Sequence, residues 1–239
     1  YGDIKFLYIS PERLNSDIFQ LRVRRMNISL IAVDEAHCIS QWGYDFRPSY
    51  LRIAEVRRLI PGTPILALTA SATKLVEEDI IDKLSLEEPA ILRSSFARDN
   101  LSYSVRAVDD KNEQLMRIIG NVPGSGIVYV RTREGAEKIA SWLQGQGVSA
   151  DYYHGGLGHA ERSMRQTAWS EGRTRIMVAT NAFGMGIDKA DVRFVIHYAM
   201  SESLEEYYQE AGRAGRDGGR AYALLLVSEK DQARINRRI

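Results

Sequence analysis

The sequence predicts an α/β chain of two lobes, and three observations predict it. Short apolar runs recur along the chain, amphipathic stretches with apolar residues three or four apart lie between them, and one polar stretch breaks the alternation. Runs of the first kind read as buried strands and the second as helices. Strand, helix, strand in repetition implies parallel sheets with crossover helices.

In chain order, residues 5–10, 30–33, 65–69, 127–130, 175–179, 194–198 and 222–227 read as strands. Residues 73–84, 134–144, 160–171 and 204–211 carry the helical spacing. Ser203 with Glu206 forms a capping box for the last of these, and Asp110 with Glu113 offers another before the short apolar stretch 115–119. The polar residues 94–102, with Arg98, Asp99 and Asn100, place the boundary, giving lobes at 1–97 and 98–239. Each lobe has an apolar strand running into small hydroxyl residues, at 65–73 and 176–180. In open α/β sheets ligands bind beyond such carboxyl ends.

Composition narrows the class. The 239 residues, 44% hydrophobic and 26% charged, suffice for ordinary cores and exclude a disordered or fibrous chain. The net charge is +1, so any nucleic-acid surface is local rather than a global basic field. Of the 32 basic residues 25 are arginine, the planar cation suited to phosphate and carboxylate. The single cysteine, Cys38, excludes an internal disulfide framework and a cysteine-rich zinc site, and fits a reducing, cytoplasmic compartment. The apolar run 221–227 is far too short to cross a bilayer, and no signal-peptide pattern opens the chain. His37, His154, His159 and His197 lack metal-ligand spacing, and His197, in an apolar strand, reads as a satisfied core residue.

Three segments carry chemistry. Leu30-Ile31-Ala32-Val33 runs into Asp34-Glu35-Ala36-His37, which sets two carboxylates at the end of a buried strand. In nucleoside triphosphatases a strand-end aspartate holds Mg²⁺, and a neighbouring glutamate orients or deprotonates water. Gln209-Glu210-Ala211-Gly212-Arg213-Ala214-Gly215-Arg216-Asp217-Gly218 dissolves a capped helix into glycines with two arginines that can reach phosphates. Gln41-Trp42-Gly43-Tyr44-Asp45-Phe46-Arg47-Pro48-Ser49-Tyr50 gathers aromatics and an arginine on which bases can stack.

Taken with Leu7-Tyr8-Ile9-Ser10-Pro11-Glu12-Arg13-Leu14, Leu68-Thr69-Ala70-Ser71-Ala72-Thr73 and the segment 178–188, these strings resemble, in order and spacing, the RecQ family of superfamily 2 DNA helicases. The resemblance spans nearly the whole chain and implies two RecA-like lobes with ATP between them, moving 3′ to 5′ along single-stranded DNA. It implies that Asp34 binds Mg²⁺, Glu35 handles the attacking water, and His37 relays nucleotide state toward Ser71 and Thr73. Trp42, Asp45, Phe46 and Arg47 would couple DNA contact to hydrolysis. Arg213 and Arg216 would face the phosphates, with Gln209, Gly186 and Asp188 lining the nucleotide site. Arg133, His154 and Thr180 would touch the DNA backbone.

The chain departs from the family pattern in four places. Tyr44 stands where the loop usually has histidine, and Arg131-Thr132 precede Arg133 where a small or polar residue and a serine are common. The family's zinc-binding and winged-helix modules have no counterpart, so fork or junction binding does not follow. No lysine follows a glycine, so the phosphate-cradling Gly-x-x-x-x-Gly-Lys-[Ser/Thr] loop is not present. By the family's plan the first lobe lacks about a hundred residues at its N-terminus. The expectation is a fragment of a motor that does not hydrolyse ATP efficiently alone. Its parent would act on single-stranded and partly duplex DNA in repair or recombination, at the nucleoid or in the nucleus. The rival readings are a superfamily 2 RNA helicase and a non-catalytic DNA-binding or regulatory remnant.

Overall fold

The structure, a computed structural model, describes residues 4–43, 45–70, 72–184 and 187–231. The chain divides into two compact units, Tyr1–Ser94 and Ser95–Ile239.

The first unit holds a short turn of 3-10 helix, Pro11–Asn15, followed by helix α1 (Asp17–Val23), whose Ser16 cap accepts a hydrogen bond from Phe19 N. Strands β1 (Ile31–Val33) and β2 (Ile65–Ala67) pair in parallel, Ile31 opposite Ile65, with helix α2 (Ile53–Leu59) in the crossover. Helix α3 (Lys74–Lys83) follows, starting at a Thr73 cap that accepts from Val76 N. Val23, Val33, Ala36, Ile39, Val56, Val76 and Leu84 fill the core between these elements.

The strand expected at 5–10 does not form. Its backbone enters no ladder among the described residues, and Phe6, Leu7 and Tyr8 are 77%, 58% and 91% exposed. Apolar character makes a segment a candidate strand, but a strand exists only where a neighbour completes its hydrogen bonds.

The second unit runs β3 (Leu101–Ala107), α4 (Lys111–Asn121), β4 (Ser125–Tyr129), α5 (Arg133–Gly145), β5 (Ala150–Tyr153), α6 (His159–Ser170), β6 (Ile176–Ala179), β7 (Val192–His197), α7 (Leu204–Ala211) and β8 (Ala221–Val227). The six strands form one parallel sheet in the order β3-β8-β7-β4-β6-β5. Side chains alternate between its faces, as a pleated strand requires. Ile127, Tyr129, Met177, Ala179 and Val195 pack with Trp169, Phe183 and Ala211 on one side. Val128, Ile176, Val178, Phe194 and Ile196 pack with Leu115, Ile119, Ala140 and Leu143 on the other. Both faces are covered, which is why the central strands read as continuous apolar runs. Gly126 in β4 allows this closeness, since a Cβ there would come 2.1 Å from the Phe194 ring.

Two strands escaped the sequence pattern, β3 and β5, the two edges of this sheet. Edge strands face solvent and accept polar residues such as Ser102, Ser104 and Asp151, so the apolar signal fades. The polar stretch at 94–102 thus runs into β3 itself. Helix starts were legible: Asp110 Oδ1 accepts from Asn112 N and Glu113 N, and Ser203 Oγ accepts from Glu206 N. The second box is only half made, because the Glu206 carboxylate takes Glu202 N rather than the cap's own amide. No helix among the described residues is long and apolar enough to cross a membrane.

Candidate functional site

β1 delivers the acidic segment to the end of the small sheet and hydrogen bonds hold it there. Leu68 N donates to Val33 O (2.8 Å) and Ala36 N to Leu68 O (2.9 Å). Asp34 is exposed, and its Oδ1 accepts from Glu35 N at 2.9 Å. Glu35 lies in the left-handed region at φ 50°, a conformation that non-glycine residues adopt at a cost and that recurs at functional sites. This turn starts the 3-10 helix Ala36–Ile39, which buries His37 and Cys38.

His37 Nδ1 lies 3.0 Å from Thr69 Oγ1 and 3.4 Å from Glu35 Oε2. Burial, the largest influence, holds its pKa below the ordinary 6.5, so the ring is neutral near pH 7. Thr69 joins the Leu68 backbone bonds in tying the acidic segment to 68–73, Thr73 serves as the cap of α3, and Ser71 lies outside the described residues. Burial, and then the charge of Asp45, push the Cys38 thiol up to about 12, which makes it a packing group rather than a nucleophile.

The aromatic segment folds back on this box. Arg47 N donates to Cys38 O (2.8 Å) and Gly43 N to Ser40 O (3.1 Å). Asp45 Oδ2 accepts from Arg47 Nε and Nη2 at 3.1 and 2.6 Å. Phe46 is half-buried and Trp42 is 69% exposed, so the indole offers an open face to solvent. Tyr44 lies outside the described residues.

In the second unit, α7 carries Gln209 toward the glycine-arginine loop. Arg216 Nη1 donates to Ile187 O (3.0 Å) and Asp188 Oδ1 (3.1 Å), so Asp188 orients one arginine directly. Gly186 lies outside the described residues. Arg213 Nε and Gln209 Nε2 are buried atoms with no hydrogen-bond partner among the described residues. Buried donors are almost always satisfied, so these two are exceptions within the segment.

Thr180, His154 and Arg133 come together at the carboxyl ends of neighbouring strands β6, β5 and β4. Thr180 N donates to Tyr153 O (3.2 Å), and Val130 N to Ala179 O (2.8 Å). His154 is buried and committed on both nitrogens, to Glu137 Oε1 (2.9 Å) and Gly156 N (3.2 Å). Arg133 is exposed and passes close to Gly156, where a Cβ would meet its Nη1 at 3.0 Å.

The sequence reading missed several residues of this site. His197 is buried but only half satisfied: Nε2 pairs with Glu210 Oε2 (2.9 Å), while Nδ1 has no partner among the described residues. Ser201 Oγ donates to the same Glu210 oxygen (3.1 Å), which pins α7 to β7. Tyr129, stacked on His197, is fully buried and its hydroxyl donates to Phe183 O (2.8 Å). Arg98 and Asn100, assigned to a boundary, hydrogen-bond to the arginine loop. Glu210 within the motif and His197 in an apolar strand were the available signals. A polar pair before an edge strand gave none.

Among the described residues no group of three or more His, Cys, Asp and Glu side chains converges. The donor set at the acidic box is one exposed carboxylate with a second beside it. This fits Mg²⁺, which keeps several waters and binds through one or two carboxylates plus substrate phosphates.

Comparison with known proteins agrees with this geometry. Residues 1–79 match the DEAD/DEAH box helicase family and residues 110–218 the helicase conserved C-terminal domain. The chain is 42% identical over 237 residues, 99% of its length, to "ATP-dependent DNA helicase RecQ" of Pasteurella multocida, of which that stretch is 38%. It is 44% identical over 249 residues to "RecQ-like DNA helicase blm-1" of Caenorhabditis elegans, covering 99% of the chain and 25% of that protein. The chain spans 18–39% of the length of such curated relatives. Among solved structures, S. cerevisiae Dbp5 bound to RNA and ADP BeF3 superposes with a TM-score of 0.70 at 22% identity, covering 91% of the chain and 59% of Dbp5. The E. coli DEAD-box protein SrmB, solved with RraA, gives a TM-score of 0.51 at 27% identity, covering 60% of the chain and 88% of SrmB. These likenesses show the fold, an α/β architecture of RecA-like lobes. Acidic box, arginine loop and identity along almost the entire sequence converge: the chain belongs to the RecQ family of DEAD/DEAH-box helicases.

Proposed function

We propose that the protein is the motor region of an ATP-dependent DNA helicase of RecQ type, moving 3′ to 5′ on single-stranded DNA in repair or recombination. The observation that carries this reading is the 42–44% identity, over 96–99% of the chain, to proteins named ATP-dependent DNA helicases. Residues 1–97 supply part of the first lobe and residues 98–239 the second. The work is done where DNA is held, at the nucleoid or in the nucleus.

Bound ATP with Mg²⁺ supplies a phosphoryl group for transfer to water. The exposed Asp34 carboxylate would hold the metal. Glu35, 3.4 Å from His37 Nδ1, orients the attacking water and accepts its proton. His37, neutral and bonded to Thr69, links this acid to the 68–73 segment. Arg213 and Arg216 offset charge on the transferring group, an effect worth roughly 10³–10⁵ in rate where it has been measured. Gln209 and Asp188 support them, with Gly186 nearby in sequence. Trp42 offers a stacking face worth about 1–3 kcal/mol per base, and Asp45, Phe46 and Arg47 join that face to the acidic box. Arg133, the exposed member of the Arg133, Thr180 and His154 group, meets the DNA backbone, a contact that positions without reading sequence, and the buried His154 and Thr180 support it from behind. The 239 residues contain no Gly-Lys-[Ser/Thr] phosphate loop, so this segment alone is expected to turn over ATP poorly.

The test is ATP hydrolysis by the full-length protein with single-stranded DNA or RNA, and unwinding of duplexes with a 3′ or a 5′ tail. DNA stimulation with 3′-tail unwinding is expected. Preference for RNA or for 5′ tails overturns the proposal. Arg216→Ala should abolish hydrolysis with DNA binding retained, and Trp42→Ala should lower DNA stimulation.

A further inference from the structure

The parallel pairing of β3 with β8 begins at Leu101 opposite Ala221, so the residues just before β3 lie beside those just before β8. The latter are the arginine loop. Arg98 Nη1 donates to Gly212 O (3.0 Å), and its Nη2 donates to Gly215 O and toward Asn100 Oδ1 (3.4 Å). Asn100 Nδ2 donates to Gly215 O (2.7 Å) and Gly219 O (2.9 Å). The main chain reinforces this: Leu101 N donates to Arg98 O (3.1 Å) and Ala221 N to Asn100 O (2.8 Å). Three carbonyls of one loop are gathered by two side chains more than a hundred residues earlier. Gly212 and Gly215 flank Arg213, and Gly215 and Gly219 flank Arg216.

The residue types suit the task. Carbonyl oxygens only accept, so the clamp has to be made of donors. Arginine supplies a planar fork that reaches two carbonyls at once. Asparagine turns its oxygen to Arg98, which leaves its NH₂ for two carbonyls, an arrangement aspartate cannot reproduce. Gly215, at φ 64°, has no room to spare, since a Cβ there would meet Asn100 Nδ2 at 2.7 Å.

We propose that Arg98 and Asn100 are positioning residues for the arginine loop, a buckle that fixes the backbone from which Arg213 and Arg216 reach the phosphates. The proposal rests on reading the protein as an ATPase. Neither residue touches nucleotide on this view. They act by sparing the loop an ordering step at each turnover.

The experiment uses the full-length protein with Asn100→Asp, which keeps volume but loses both donations, and Arg98→Lys, which keeps charge but loses the fork. Each should lower kcat for DNA-stimulated ATP hydrolysis by about tenfold or more, with KM for ATP and affinity for single-stranded DNA within about twofold. Combining Asn100→Asp with Arg216→Lys should cost less than the product of the two single losses, because residues acting as a unit are not additive. If kcat is unchanged, or if kcat, DNA affinity and the unfolding midpoint fall together, the buckle is merely structural and the proposal is overturned. If Asn100→Asp does not fold, Arg98→Lys decides by the same criteria. An active Arg216→Ala would refute the arginine reading itself, whereas a dead Arg216→Ala beside an unimpaired Asn100→Asp refutes only the buckle.

Discussion

Gly43 shows how a single missing side chain holds the acidic box and the aromatic segment together. A Cβ at this position would lie 2.5 Å from the backbone oxygen of His37, which cannot swing away as a side chain can. Gly43→Ala should therefore destabilise the chain by about 1–3 kcal/mol, the usual cost of overpacking. Urea denaturation checks this, and an unchanged midpoint would show that the two segments are not packed so closely. The identity of the chemistry-bearing residues here was legible because Asp34, Glu35 and His37 are contiguous. Their partners were not: Thr69 meets His37 across 32 positions of sequence, and no local pattern announces such a pair.

At the scale of elements, caps follow local rules and can be tested locally. Asp110 Oδ1 takes two otherwise orphaned amides of α4, at 2.7 and 3.2 Å. Asp110→Ala should cost about 1 kcal/mol, read from the unfolding midpoint. The join between β7 and the loop before β8 is electrostatic. Arg193 Nη2 lies 2.6 Å from both Asp217 oxygens, and this hydrogen bonding holds the Asp217 carboxyl below its usual 3.8. The folded state thus favours the ionised form. Its contribution is present above about pH 4 and is lost as pH falls through the lowered folded value, since the unfolded chain binds the proton first. Asp217→Asn should flatten the loss of stability on acidification below that pH, as measured by urea midpoints at successive pH values. An unaltered slope would mean that the pair does not stabilise the fold. Strands at sheet edges, by contrast, were illegible: β3 and β5 alternate too weakly, and their existence depends on the neighbours they join.

At the scale of the whole molecule, the second unit contains a sheet with both faces covered by its own helices. Residues 95–239 produced alone should unfold in urea in one cooperative transition, followed by circular dichroism. A broad, non-cooperative loss of signal would show that this core is not self-sufficient.

The sequence by itself determined the α/β class, the central strands, the starts of α3 to α7 and the family, because these rest on periodicity, capping and contiguous strings, whereas the short helices α1 and α2 went unread. Tertiary structure alone decided which polar residues serve those strings. Arg98 and Asn100 look like linker until β3 lies beside β8 and turns them onto the arginine loop. His197 looks like filler until α7 brings Glu210 against it. Periodicity reports how a residue sits in its own element, whereas a hydrogen bond across a hundred residues depends on which strands become neighbours, and pairing settles that only when the chain has folded.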